Sequence, residues 1–401
     1  MKPRVLVLLL AAAALLAKLY CAATTVGSCD VVFFWKFAHT IQHDGLLAMY
    51  RATPFFNHTP LVGWFSEVAL QLAGGEQRLF AFYLRLPAIF ADFFAVLALL
   101  WLREKTGRPA WWALALFAVS PVAFMVSGYH GNVDSVMALG ILLAAVACAT
   151  DRPALCGLCL GLAGNIKIIP LLLVPAFFFL WWQQGRALRF SAPAIATLLI
   201  GWSYPLLTIP DVFLKNVLGY SSIWGVWGIT YALRMTDLPS LRGITFDETT
   251  PMEAAIMQGL KLLIIGAVLT LAWQRRKIGR LEIFRTLALV WAVFFVFAPG
   301  FGAQYLAWLA PFFLVATERW YAALTAASSV ALFAFYTVIS RGLPWDTGFT
   351  VHSTAEHWVG WLVCPWLVLA AFLIWEARSA LAQRSLTNST TSVDCPPPEA
   401  A

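Results

Sequence analysis

The chain has 401 residues, 61% hydrophobic and only 12% charged, with a formal net charge of +7. A soluble domain carries about 25% charged residues, so this composition excludes a soluble enzyme. The basic residues stand singly or in small groups between apolar runs, with no basic stripe, and this argues against nucleic acid as a partner.

Apolar runs of about 17–25 residues, the length that crosses a hydrocarbon core, recur from Val5 to Trp375. They predict an all-α polytopic membrane protein with about 12 transmembrane helices. The expected spans are 4–22, 84–102, 109–126, 133–149, 153–165, 167–182, 190–207, 256–273, 282–298, 304–317, 320–339 and 358–375. Many of the Trp and Tyr residues sit at run ends, where an amphipathic ring suits the interface. The transmembrane domain is expected over 1–379, with a Ser/Thr/Pro-rich, disordered cytoplasmic tail over 380–401. The apolar start is expected to remain as an uncleaved first span, because no clean small-residue cleavage site follows it.

Positive charge on the cytoplasmic side orients such a chain. Lys2 and Arg4, Arg103/Lys105/Arg108, Arg186/Arg189, Arg275/Arg276/Lys277/Arg280 and Arg378/Arg384 all fall inside if 61–72 does not span. That stretch is then a juxtamembrane helix on the outer face, and both termini are cytoplasmic. The outer loops include 23–83 and 208–255 and hold most of the acids, among them Asp237, Asp247, Glu248, Asp346 and Glu356. The first loop is longer than a connector needs and is expected to form part of a site.

Ionisable residues at membrane depth are costly, so each is a candidate. Asp30, in GSCDVVFFWKF, directly follows the first span. It is either a helix N-cap or a carboxylate at the lipid boundary able to take a proton from a hydroxyl. His130 and Asp134, in YHGNVDSVMALGILLA, are four apart and share a face if the segment is helical. Asp134 has the alternative of capping its helix, and the pair alone is a weak metal site. Lys167, in GLAGNIKIIPLLLVP, either snorkels or faces a phosphate. Asp92 is expected to make an interhelical hydrogen bond. Cys156 and Cys159 form a C-x-x-C inside an apolar run and read as packing, whereas Cys21 and Cys29 could pair in an oxidising compartment. The triplets at Asn57 and Asn388 match a glycosylation acceptor by chance. No cofactor is expected; a divalent metal is compatible with the sequence but nothing in it indicates one.

Four segments together resemble the GT-C glycosyltransferases, multispan enzymes that use polyprenyl-phosphate sugars. They are LLAMYRATPFFNHTPLVGW after the first acid, GNVDSVMALGILLA, GLAGNIKIIPLLLVP and FGAQYLAWLAPF. The set is similar to the GPI mannosyltransferase I catalytic subunit and to bacterial polyprenyl-phosphate-mannose-dependent mannosyltransferases. An adjacent acid pair, frequent in that family's first loop, is absent at Asp30, which leaves Asp134 as a rival base.

The resemblance implies an inverting hexosyltransferase, in particular a mannosyltransferase of the bacterial inner membrane, with its active site at the outer face. Asp30 would be the general base. Lys167 would pair with the donor phosphate, Gln304 and Tyr305 would line the donor pocket, and His130 and Asp134 would bind sugar or carrier. Tyr50, Asn57 and Pro60 would belong to a first-loop pocket. The expected partners are a polyprenyl-phosphate sugar donor, a glycan or glycolipid acceptor, and membrane lipid. The competing functions are a multispan transporter or lipid-linked-sugar flippase, expected to show a repeat and broken helices, and a structural subunit.

Overall fold

The computed structural model describes residues 2–401 apart from 221–222, 237, 242, 245–248, 341, 344–358 and 392–401, and the side chains of 383–391. Asp237, Asp247, Glu248, Asp346, Glu356 and the side chains of Arg384 and Asn388 therefore lie outside the described residues. Among those that are described, the protein is helical and has no strand.

Helix α1 is Pro3–Thr24, with proline at its first turn, where its missing N–H costs nothing. The first loop folds into α2 (Cys29–Asp44), α3 (Leu46–Ala52) and α4 (Pro60–Leu72). With 13 residues, α4 is too short to cross a bilayer. Helix α5 is Gln77–Thr106, 30 residues long, and starts several residues before the expected span. The apolar faces of α2, α3 and α4 close on one another and on Phe80, Ala81 and Leu84 of α5. Trp202, Phe213 and Val217 complete this second core, so the first loop is docked on the bundle rather than free.

Seven of the described helices are long and apolar enough to cross a membrane: Pro3–Thr24, Gln77–Thr106, Trp111–His130, Ala187–Thr208, Pro251–Gln274, Glu318–Ser340 and Val359–Ala382. Their outer faces are apolar and exposed, with Leu207 at 84%, which is what lipid contact requires. The expected count of about 12 is not reached by this measure. Asp134–Ala149, Pro153–Gly164, Ile169–Gln183 and Ala303–Ala316 are shorter, and Ile283–Phe297 has 15 residues. The last helix runs on from Val363 to Thr391, into the stretch expected to be a disordered tail.

The basic loops meet at one end of the bundle. Arg4 pairs with Glu104 at 2.7 Å, Arg108 and Arg275 each reach Glu282 at 3.8 Å, and Arg280 reaches Asp151 at 3.1 Å. Arg186 also pairs with Asp151. Helix Asp134–Ala149 ends near this cluster, so its start, with Asp134, lies at the opposite end.

Candidate active site

The opposite end is built on a buried arginine. Arg85 sits on α5 and is fully buried, with no carboxylate paired to it among the described residues. Its Nη1 donates to Thr25 Oγ1 at 3.0 Å and to the carbonyls of Gly128 and Tyr129 at 3.1 and 3.3 Å. Its Nη2 donates to the carbonyl of Ala22 at 2.9 Å and to that of Thr25, and Nε to Ala81 O at 2.8 Å. A planar fork with five donors can serve several carbonyls at once. Arg85 thereby ties the end of α1 to the turn around residue 129.

Beside it, the approach to α2 docks on the same turn. Gly27 and Gly131 both have positive φ, and a Cβ on Gly131 would stand 2.4 Å from Val31 Cγ2. Ser28 caps α2: its Oγ accepts from the Asp30 N–H at 3.2 Å and donates to the His130 carbonyl at 2.7 Å. The N-cap is thus Ser28, and Asp30 lies in the first turn with its carboxylate free for other partners.

Those partners come from the 130–134 segment. Asp30 Oδ2 accepts from Asn132 Nδ2 at 2.7 Å and faces His130 Nε2 at 3.0 Å. His130 Nδ1 is buried with no partner among the described residues, and Nε2 is the ring nitrogen that meets the carboxylate. Burial alone would raise the Asp30 pKa. The charge and hydrogen bond of His130, the Asn132 amide and the charge of Lys167 outweigh it and hold the carboxyl down at about 2. The Asp30 side chain remains 27% exposed.

Asp134 is the first residue of its helix but does not cap it; the Val133 N–H goes to Asn132 Oδ1 at 2.7 Å. Its fully buried carboxylate takes Lys167 Nζ at 2.8 Å and Trp308 Nε1 at 2.6 Å, both on Oδ1. Its Oδ2 has no partner among the described residues. Lys167 Nζ also lies 5.4 Å from the Tyr305 ring centre and 5.7 Å from that of Trp308, within cation–π range. Those two rings stack at 4.2 Å.

The structure therefore brings Asp30, His130, Asp134, Lys167 and Tyr305 together. Gln304 adjoins Tyr305, half-buried, in the Ala303–Trp308 turn. Of the first-loop residues, buried Tyr50 donates its hydroxyl to the His58 carbonyl at 2.7 Å. Pro60 is the buried first residue of α4, and Asn57 is half-buried in the loop before it. His58, Asn132, Trp308 and Tyr336, whose ring packs 5.7 Å from His130, join the cluster without having been singled out in the sequence. His58, Asn132 and Trp308 lie inside three of the quoted segments, and that was the signal available for them.

Other expectations resolve nearby. Asp92 makes the interhelical contacts expected of it, with Lys18 Nζ at 2.5 Å and Ser127 Oγ at 2.6 Å. Cys21 and Cys29 are free thiols rather than a pair, Cys21 lying against Thr25. Cys156 and Cys159 are also free and buried, as packing requires. Among the described residues no group of three or more His, Cys, Asp or Glu could hold a metal. An apolar groove of about 1050 Å³ opens elsewhere, between α1, Val119–Met125 and Ser329–Val338, with Lys18 at its wall.

Residues 43–183 match the family model described as MptA_B family, alpha-(1->6)-mannopyranosyltransferase, N-terminal domain. This match bears out the GT-C-type mannosyltransferase resemblance. The matched third of the chain holds His58, His130, Asn132, Asp134 and Lys167, while Asp30, Tyr305 and Trp308 lie outside it. It supports a glycosyltransferase, and the long apolar helices agree with a membrane enzyme. No curated protein matches the chain.

Proposed function

We propose that the protein is an inverting membrane glycosyltransferase that moves a mannose from a polyprenyl-phosphate donor to a glycan or glycolipid acceptor. One observation carries this reading: a partly exposed carboxylate and a partly exposed ammonium, Asp30 and Lys167, stand in one cluster with aromatic rings beside the ammonium. Asp134, the rival base, is fully buried and already bound to Lys167 and Trp308. Accessibility favours Asp30 as the group that meets the acceptor.

In the transfer, the acceptor oxygen attacks the anomeric carbon while Asp30 takes its proton. The bond from that carbon to the phosphate oxygen breaks on the opposite face, and its electron pair leaves on polyprenyl phosphate. Lys167 has three N–H donors, and Asp134 holds one of them at 2.8 Å. The others are available to the phosphate, where a fixed cation stabilises the charge that develops on leaving. Donor binding also improves the base. Lys167 is one of the groups holding Asp30 down at about 2; an anion set against Lys167 cancels part of that field, so the carboxylate becomes more basic once the donor is seated.

The basic loops gather at the end away from this cluster, and the positive-inside rule puts that end in the cytoplasm. The cluster then faces outward, where a donor keeps its tail in lipid and its head at the surface. The apolar groove has the lining for an isoprenoid chain.

The experiment is transfer of labelled sugar from a panel of polyprenyl-phosphate sugars by the purified protein. Mannose is expected to move, and Asp30→Asn to cut turnover by about 10²–10⁴-fold, the usual contribution of a positioned base, while donor binding persists. Full activity in Asp30→Asn with a dead Asp134→Asn would move the base to Asp134. Full activity in both would leave neither carboxylate as the base, and no transfer by the native protein from any sugar of the panel would overturn the glycosyltransferase proposal in favour of a transporter.

A further inference from the structure

His58 has no part in the transfer as described, yet it stands between the two groups that do. Its ring packs against Phe34 with centroids 4.8 Å apart, and Phe34 is one helical turn along α2 from Asp30. The next residue, Thr59, donates its hydroxyl to the carbonyl of Asn165, two residues before Lys167. The imidazole is thus held from the Asp30 side by a ring contact and from the Lys167 side by the backbone. Tyr50 fixes the His58 carbonyl, and Phe56 packs 6.0 Å from the ring. His58 is 8% exposed, and its Nδ1 has no partner among the described residues. Buried polar atoms are normally paired, and leaving one unmade is costly. This imidazole, set within the fields of both Lys167 and Asp30, is placed to meet a group that arrives between them.

What arrives follows from the geometry of displacement. Attacking oxygen and leaving phosphate lie on opposite faces of the anomeric carbon in an inverting transfer. Asp30 marks the first and Lys167 the second, so the space between them belongs to the sugar ring. We infer that His58 hydrogen-bonds a hydroxyl of the transferred sugar and is a specificity-determining residue of the enzyme. The inference rests on the function proposed above.

The charge state of the ring agrees with the role. Burial first, then the charge of Lys167, push the His58 pKa down to about 3, against an opposing pull from Asp30. The imidazole is therefore neutral at working pH. A neutral ring offers one N–H and one lone pair, the complement of a hydroxyl. An imidazolium here would oppose the positive charge that the sugar carries in its oxocarbenium-like transition state.

The test is a cycle between protein and substrate. With the full chain, kcat/KM is measured for the best polyprenyl-phosphate sugar and for its monodeoxy analogues, in the native protein, His58→Phe and His58→Gln. In the native protein one deoxy analogue is expected to lose about 10–100-fold, the range for one lost hydrogen bond. In His58→Phe that analogue and the parent sugar should agree within about twofold, because the partner of the missing hydroxyl is gone. His58→Gln keeps a donor and an acceptor and should retain most of the discrimination. A packing role predicts the reverse order, since Phe preserves the contacts with Phe34 and Phe56 and Gln does not. Equal discrimination in the native protein and His58→Phe overturns the inference and leaves the proposed function standing. If His58→Phe does not purify folded, His58→Leu is read by the same ratio. If the native protein transfers from no polyprenyl-phosphate sugar, the proposed function fails and takes this inference with it.

Discussion

Lys167 and Asp134 cannot be tested one at a time without confusion, because each neutralises the other inside the protein. Asp134 is fully buried, with Lys167 at 2.8 Å. Removing one partner of such a pair costs about 3–5 kcal/mol, since the other charge is left buried and alone. Lys167→Ala should therefore lower the thermal unfolding midpoint in detergent as well as abolish turnover. Lys167→Ala/Asp134→Asn should regain most of the lost stability and none of the activity. Recovery of activity in the double variant would show that the ammonium has no role in the chemistry. His58 gives a pH prediction of the same kind. Its folded pKa of about 3 lies below the ordinary 6.5, so the unfolded chain takes up the proton first on acidification. Stability is full above about 6.5 and declines as pH falls from there toward 3. Asp30, held at about 2 against an ordinary 3.8, adds its own loss only below about 4. The unfolding midpoint of His58→Phe should accordingly depend less on pH between 6.5 and 4 than that of the native protein.

At the scale of elements, Arg85 joins three segments that are far apart in sequence: the end of α1, helix α5 and the turn at 128–129. Arg85→Met would leave those carbonyls buried and unpaired, at about 1–3 kcal/mol each. Loss of folded protein is expected. Arg85→Lys keeps the charge but lacks the fork, so it should fold less stably and lose turnover with little change in expression. Wild-type turnover in Arg85→Lys would show that the clamp does not position Asp30 and His130. Gly131→Ala probes the same junction, since its Cβ meets Val31 Cγ2 at 2.4 Å with the backbone at positive φ. The first loop was legible as structure in the sequence because its length exceeded any connector. Its docking as a second core was not, because Trp202 and Phe213, which close that core, come more than 100 residues later.

At the scale of the whole molecule, the ion pairs at one end and the reactive cluster at the other give the bundle a direction. Lys105 and Gln71 are exposed near opposite ends. In a background with Cys29→Ser, Cys364→Ser and Cys395→Ser, a cysteine at Gln71 should react with an impermeant reagent applied outside intact cells, and a cysteine at Lys105 only after lysis. The reverse pattern would turn the molecule over and put the cluster in the cytoplasm. Residue-level periodicity supplied the class of protein and the order of its apolar runs. It did not supply their lengths as helices: the run at 304–317 folds as a tight turn followed by the seven-residue Ala310–Ala316, and α5 extends well past its apolar stretch.

By itself, the sequence determined that this protein lives in a membrane, which loops carry its positive charge, and that Asp30, Asp92, His130, Asp134 and Lys167 are costly where they stand. Those are properties of composition and local order, and burial cost is readable one residue at a time. Only the tertiary structure decided who meets whom. Asp30 and His130 are 100 residues apart, Lys167 and Asp134 33, and Trp308 and Asp134 174. No local pattern encodes such pairs, because they depend on which helix faces pack. The same packing leaves Asp30 at the rim, buries Asp134 behind it and sets His58 between Asp30 and Lys167 with a ring nitrogen unpaired.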